Sequence, residues 1–229
     1  QLGLYFLIQK RGYPGRYLAA VLIAAIVCLR TDDLRQHELM LTVLDVGQGL
    51  SVVIETAQHV LIYDTGMSSA SGFSISDSVL KPFLAHRNIK QIDRLIISHN
   101  DNDHAGGLQQ LLASTPVKQL ILSEPVEHHI NTHLTYCQRE ISWVWGQVKF
   151  DVLHPPPAWQ SDSNNRSCVL RVTHPNGSVL LTGDIEHQVE TLLVTAYGEQ
   201  LRSDVLIVPH HGSRSSSSVE FLSTVQATY

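Results

Sequence analysis

No pair of the three cysteines stands in a CxxC spacing, which leaves neither a zinc finger nor a thioredoxin-type motif. Cys28 sits inside an apolar run as an inert side chain, and Cys137 and Cys168 can pair in an oxidising compartment, which the sequence alone does not decide. Basic charge is not in excess: the formal net charge is -5, which argues against a generally basic nucleic-acid binder. It does not exclude one, because bound divalent cations reverse the local sign where an anionic substrate sits. No internal repeat of fixed short period is present, and no small-residue cleavage site follows the early apolar runs. Charged residues are few, at 16%, against 43% hydrophobic. The 229 residues therefore fit one large domain or two small ones with a sizeable core.

Histidine, by contrast, is plentiful, with thirteen copies that cluster. The densest stretch is Ser98-His99-Asn100-Asp101-Asn102-Asp103-His104-Ala105-Gly106-Gly107. The apolar run Leu95-Ile96-Ile97 leads into it, and Leu108 to Leu112 follows the two glycines. The pattern predicts a buried strand, a ligand loop and a helix start. His99, Asp101, Asp103 and His104 are metal-ligand types on rigid mounts. The bland alternative is a polar turn, since Asn, Asp and His are ordinary turn residues.

The first thirty residues are of a different material. Leu2 to Ile8 is apolar, Gln9 to Arg16 is a basic turn, and Tyr17 to Leu29 is a second apolar run. That run is short against the roughly 20 residues of a membrane span. The expectation is the end of a polytopic membrane region over 1–30, with the last span at about 17–29. A buried hairpin packed on the domain is the rival. If the spans hold, Lys10, Arg11 and Arg16 put the loop on the cytoplasmic side and deliver the rest of the chain to the outer side.

From residue 38 the pattern turns soluble and sheet-rich. Strands are predicted over Leu39–Val46, Leu50–Glu55, His59–Asp64, Gln119–Leu122, Val148–His154, Cys168–His174, Ser178–Thr182 and Val205–Val208. Helices are predicted over Val79–His86, Val126–Arg139 and Ile185–Tyr197. In the second of these, His129 and His133 share a face as a surface or packing feature. Trp143 and Trp145 alternate and are expected to face a sheet core rather than stack on bases. Hairpins with helices between them give an α/β class of mixed sheets with outer helices.

Polar residues recur at strand ends: Asp64, the group from His99 to His104, Asp184, and the pair His210-His211. Each alone is a turn or cap; four such points in one chain converge on a site. The set resembles the metallo-β-lactamase fold superfamily, whose His-x-His-x-Asp-His signature stands here as His99-Asn100-Asp101-Asn102-Asp103-His104. Asp101 at the middle position resembles the C-terminal domain of the ComEC family of bacterial DNA-uptake competence proteins. Further matching stretches are Leu44-Asp45-Val46-Gly47-Gln48-Gly49, Tyr63-Asp64-Thr65-Gly66, Leu181-Thr182-Gly183-Asp184 and Pro209-His210-His211-Gly212-Ser213.

The resemblance implies an αββα sandwich over 38–229, missing a closing helix past Tyr229, with a dinuclear centre of Mn²⁺ or Zn²⁺, Mg²⁺ being a further candidate. His99 and Asp101 would serve site one, Asp103 and His104 site two, and Asp184 would bridge them. One histidine of His210 and His211 completes site two; His210 is favoured, though spacing leaves both open. Asp103 and Asp64 form the catalytic carboxylate set, Asp64 orienting the loop from behind. Where the superfamily usually carries a histidine, this chain has Ser163, Asn164 and Asn165. Ser213, Arg214, Asn164 and Asn165 are the candidate substrate contacts. The implied function is a metal-dependent phosphodiesterase, degrading one strand of incoming DNA in a multi-pass protein of the bacterial inner membrane. The implied partners are DNA, the membrane and the DNA-uptake machinery. The rivals are hydrolysis of a smaller ester, and a catalytically weak domain that gates or scaffolds the channel.

Overall fold

The computed structural model describes residues 17, 21, 24, 38–125 and 132–229. The chain divides into two compact units, residues 1–35 and 36–229. The apolar segments expected over 1–30 lie outside the described residues, apart from Tyr17, Val21 and Ala24, each in helical conformation. No helix among the described residues is long and apolar enough to cross a membrane.

The second unit is built on two sheets. Strands β1 (Leu39–Val43), β2 (Val52–Thr56), β3 (Val60–Tyr63), β4 (Ile92–Ile97), β5 (Val117–Leu122) and β6 (His133–Tyr136) form the first, in sequence order. Its first three strands are antiparallel, while β3 to β6 run parallel. The second sheet has the order β11-β10-β9-β8-β7, from β7 (Ser142–Trp145), β8 (Val148–His154), β9 (Val169–His174), β10 (Gly177–Leu181) and β11 (Val205–Ile207). Only β10 and β11 run parallel in it.

Alternation along the strands sends side chains to two layers. Val52, Ile54, Leu61, Tyr63, Ile96 and Ile121 meet Phe150, Val152, Leu170, Val172 and Leu181 between the sheets. Val53, Ile62, Leu95, Ile97 and Leu120 point the other way, onto α1 (Lys81–His86) and α3 (Leu108–Ser114). Leu180 and Leu206 of the second sheet likewise meet α4 (His187–Tyr197) and α5 (Val219–Val225). The central strands of both sheets are thus covered on both faces, which is why they read as apolar runs, whereas the edge strands β1, β6 and β7 stay partly exposed. Trp143 and Trp145 pack against the inter-sheet core as expected, Trp143 stacked on Phe150 at 4.9 Å.

Two expectations need correction. The helix over Val126–Arg139 is not formed across its described part: His133–Tyr136 is strand β6, parallel to β5. His-Leu-Thr-Tyr suits a pleated edge, and pairing with β5 overrides local helical spacing; 126–131, with His128 and His129, lie outside the described residues. The first strand stops at Val43 rather than Val46. Leu44 and Val46 instead turn into the layer beneath α1 and α3.

A disulfide joins Cys137, just past β6, to Cys168, just before β9, with a Cα–Cα distance of 5.9 Å. His154, at the end of β8, is fully buried, and its Nδ1 lies 3.0 Å from the Ser167 carbonyl. Burial holds its pKa down to about 4, with Arg139 adding to the effect. The unfolded chain, where the histidine keeps its ordinary value of 6.5, takes the proton first as pH falls. The stability from a neutral His154 is therefore complete above about pH 6.5 and is lost as pH falls towards 4. Chemical denaturation at pH 7 and pH 5 checks this: the parent loses about 2 kcal/mol more than His154→Gln over that interval. Equal losses in the two proteins contradict it.

Candidate metal centre

Strand ends build the site. Sheet one presents the carboxyl ends of β3 and β4, which continue into Asp64 and Ser98-His99; sheet two presents those of β10 and β11, which continue into Asp184 and His210-His211. Two pairs of parallel strands therefore aim four loops at one end of the sandwich, the usual place for a ligand in sheets of this kind.

The first ligand loop runs into the one-turn helix α2 (Asn102–Ala105), which carries Asp103 and His104. Its position is set by close backbone approach. The Asp103 carbonyl accepts from the Leu50 N–H at 3.2 Å. At Gly49, with φ +121°, an added Cβ would lie 2.3 Å from that same carbonyl oxygen, so only glycine fits there. Thr65 donates to the His104 carbonyl from both its N–H (2.8 Å) and its hydroxyl (3.0 Å).

At the centre lies His104, fully buried. Its Nδ1 is 2.8 Å from Asp64 Oδ2, and its Nε2 is 3.0 Å from Asp184 Oδ1. Burial opposes a charged ring, but the two carboxylates outweigh it and raise His104 to about 10. Asp184 is displaced downward: burial works against its charge, and the hydrogen bond and charge of His104 prevail. Burial, then the neighbouring His104, lowers His99. Asp64 also accepts from Ser98, at 2.6 Å from the N–H and 2.7 Å from the hydroxyl. Its two oxygens are thus engaged by Ser98 and by His104.

One ligand atom each from Asp103, His104, Asp184 and His211 lies within 4.8 Å of the others. Two imidazoles and two carboxylates make a donor set suited to zinc or manganese. His99 stands beside them, its ring 4.3 Å from that of His104, with a buried Nε2 that has no hydrogen-bond partner among the described residues. Asp101 Oδ2 is 3.8 Å from that nitrogen. The residues fit divalent cations: an orphaned imidazole nitrogen is costly unless a ligand completes it.

The geometry separates the two candidates of the histidine pair. His211 Nε2 is 3.2 Å from Asp103 Oδ2 and 3.5 Å from Asp184 Oδ2. His210, favoured by the sequence reading, stands further back, 3.9 Å from Asp184 and 3.5 Å from Glu186. The cause is local: His210 and His211 both have positive φ, 49° and 51°, and Gly212 follows at 77°. This left-handed run turns the second ring inward, a conformation that side chains adopt at some cost.

Of the proposed substrate contacts, Asn165 is turned away. It is 3% exposed, its Oδ1 accepts from the Glu186 N–H, and its Nδ2 donates to Asp162 and Glu186. Asn164 and Ser213 are half-buried, and Arg214 is exposed beyond the histidine turn. Sequence reasoning missed Ser98 and Ser167. Ser167 Oγ accepts from the Asp184 N–H at 3.0 Å and lies 3.4 Å from His99 Nδ1. The position of Ser98 before His99 was a usable signal; nothing in the sequence marks Ser167.

The Metallo-beta-lactamase superfamily profile matches residues 44–227. The chain belongs to this superfamily. It is 36% identical over 223 residues to "Competence protein ComA" of Neisseria gonorrhoeae, covering 97% of this chain and 31% of that protein. It is 38% identical over 183 residues to "Recombination protein 2" of Haemophilus influenzae, covering 80% of this chain and 22% of that one. A third relative, "ComE operon protein 3" of Bacillus subtilis, is 33% identical over 211 residues, 80% of this chain and 26% of that protein. The chain thus spans between 22% and 31% of these relatives. Among solved structures, the metallo-beta-lactamase fold protein YhfI of Bacillus subtilis aligns with a TM-score of 0.52 at 15% identity, over 82% of each chain. The metallo-beta-lactamase GOB-18 of Elizabethkingia meningoseptica aligns with a TM-score of 0.51 at 13% identity, over 86% of this chain and 91% of that one.

Three substitutions separate the roles. His211→Ala is expected to weaken zinc or manganese binding more than His210→Ala, read by competition with a chromophoric chelator. Asp64→Asn, at the carboxylate that engages Nδ1 of His104, is expected to weaken it by about 10- to 100-fold through loss of the His104 orientation. A larger effect at His210 than at His211 contradicts the assignment.

Proposed function

We propose that this chain is the metal-dependent phosphodiesterase domain of a DNA-uptake protein, which degrades one strand of incoming DNA. The observation that carries this reading is the convergence of Asp103, His104, Asp184 and His211 beside the orphaned nitrogen of His99. Similarity to a relative named a competence protein supports DNA as the substrate class. Asp103, His104, Asp184 and His211 would hold one divalent cation; His99 and Asp101 would contribute to a second, with Asp184 between them. Such cations, when bound, acidify water and take up charge that develops on a phosphoryl oxygen. Asp64 keeps Nδ1 of His104 engaged, so that Nε2 is directed to the cluster. Ser213, Arg214 and Asn164 are the candidates for contact with the phosphate backbone. Residues 1–30 are read as the end of a multi-pass region of the bacterial inner membrane, with the domain from residue 38 on the outer side.

A second reading is supported by a specific feature. The loop at 163–165 offers no histidine, and Asn165 is occupied by its own hydrogen bonds. That loss favours a catalytically weak domain that gates or scaffolds a channel.

Nuclease assays on single- and double-stranded DNA distinguish the two, using the chain alone and within its full-length protein. Cleavage is expected with Mn²⁺ or Zn²⁺, is abolished by chelator, and falls at least about a hundredfold in Asp184→Ala. Absence of cleavage with Mn²⁺, Zn²⁺ and Mg²⁺ in turn overturns the nuclease reading and leaves the gating one.

A further inference from the structure

The Cys137–Cys168 disulfide stands where the two ligand-bearing sheets meet. We infer that it positions the metal centre: it locks the ligand mounts of one sheet to those of the other, so that metal affinity depends on the oxidation state of this pair. The inference rests on the metal-centre reading above.

The argument is one of neighbours. The Cys168 N–H donates to the Ser98 carbonyl at 2.9 Å, and Ser98 directly precedes His99. The Tyr63 hydroxyl donates to the Cys168 carbonyl at 2.6 Å, and Tyr63 directly precedes Asp64. Ser167, next to Cys168, holds the Asp184 N–H through its hydroxyl and reaches His99 Nδ1. On the other side, the Cys137 N–H donates to the carbonyl of Leu122, the last residue of β5. Segment 167–168 therefore touches the mounts of Asp64, His99 and Asp184 together, and the sulfur bridge ties it covalently to the edge of sheet one.

There is little slack at this point. A Cβ at Gly183 would lie 2.8 Å from the Ser167 Cβ and 3.0 Å from the Ser98 Cβ. Cys168 is fully buried and Cys137 is 4% exposed. Two reduced thiols must move from covalent to van der Waals separation inside a close-packed interior. The shift has a short path to Ser167, and from there to Asp184 and His99. A disulfide elsewhere between the sheets would stabilise the fold without touching these groups.

The chemistry is a two-electron exchange. Both thiols lose their protons, one sulfur attacks a disulfide oxidant to give a mixed disulfide, and the second displaces it. The Cys137–Cys168 bond forms, the oxidant's sulfur–sulfur bond breaks, and the oxidant leaves as two thiols. Such a pair suits a domain that folds in an oxidising compartment.

The test compares three forms of the full chain: oxidised with glutathione disulfide, reduced with a phosphine, and the Cys137→Ala/Cys168→Ala variant. Intact mass and thiol titration report the bond, circular dichroism confirms folding at the assay temperature, and chelator competition reads zinc and manganese affinity. The oxidised parent is expected to bind at least tenfold more tightly than either other form. Reoxidation restores the reduced parent and leaves the double variant unchanged. Equal affinity in three folded forms overturns the positioning role, as does an oxidised preparation that still titrates three free thiols, Cys28 among them, instead of one. Absence of metal uptake by the oxidised parent overturns the metal reading on which the inference rests.

Discussion

A buried carboxylate in contact with a buried imidazole is tolerated only if each satisfies the other. Asp64 and His104 meet at 2.8 Å with no exposure, and the far nitrogen of His104 meets Asp184 at 3.0 Å. This line runs from the end of β3 in sheet one, through helix α2, to the loop after β10 in sheet two. The other parts of the site are arranged around it. Ser98 saturates Asp64, Thr65 pins the His104 backbone, and Ser167 holds the backbone of Asp184. Loss of any one partner leaves a charge or a donor buried without compensation.

The sandwich supplies the precision. The ligand loops of Asp64, His99 and Asp184 follow strands whose last residues are fully buried, and that of His210 and His211 follows the partly buried edge strand β11. Glycines allow the loops to approach at backbone distance: Gly49 against Asp103, and Gly183 against Ser98 and Ser167. The left-handed turn at His210 and His211 departs from regular geometry, as Asp64 does at φ 63°, and it lies where a side chain must be re-aimed toward Asp103 and Asp184.

Much of this was legible in the sequence. The two sheets follow from apolar runs with turn signals, and the strand-end polar residues mark the end of the sandwich where they gather. Asp64 and Asp184 each stand just past an apolar strand and His104 closes the histidine-aspartate motif, while the roles assigned to them came from the family resemblance. What the sequence hid depends on three-dimensional pairing. The His133–Tyr136 strand exists because β5 offers it an edge. The choice of His211 over His210 depends on two positive φ angles that no composition signal encodes for histidine. Asn165 looked like a polar contact for substrate, whereas its amide closes a local network with Asp162 and Glu186.

The central claim is that these residues hold divalent cations. The most direct measurement is elemental analysis of the chain purified without chelator, beside Asp184→Ala. The account predicts two ions per parent chain, with binding lost when the shared carboxylate is removed. A parent that carries no ion, or an Asp184→Ala variant that retains the parent's content, contradicts it.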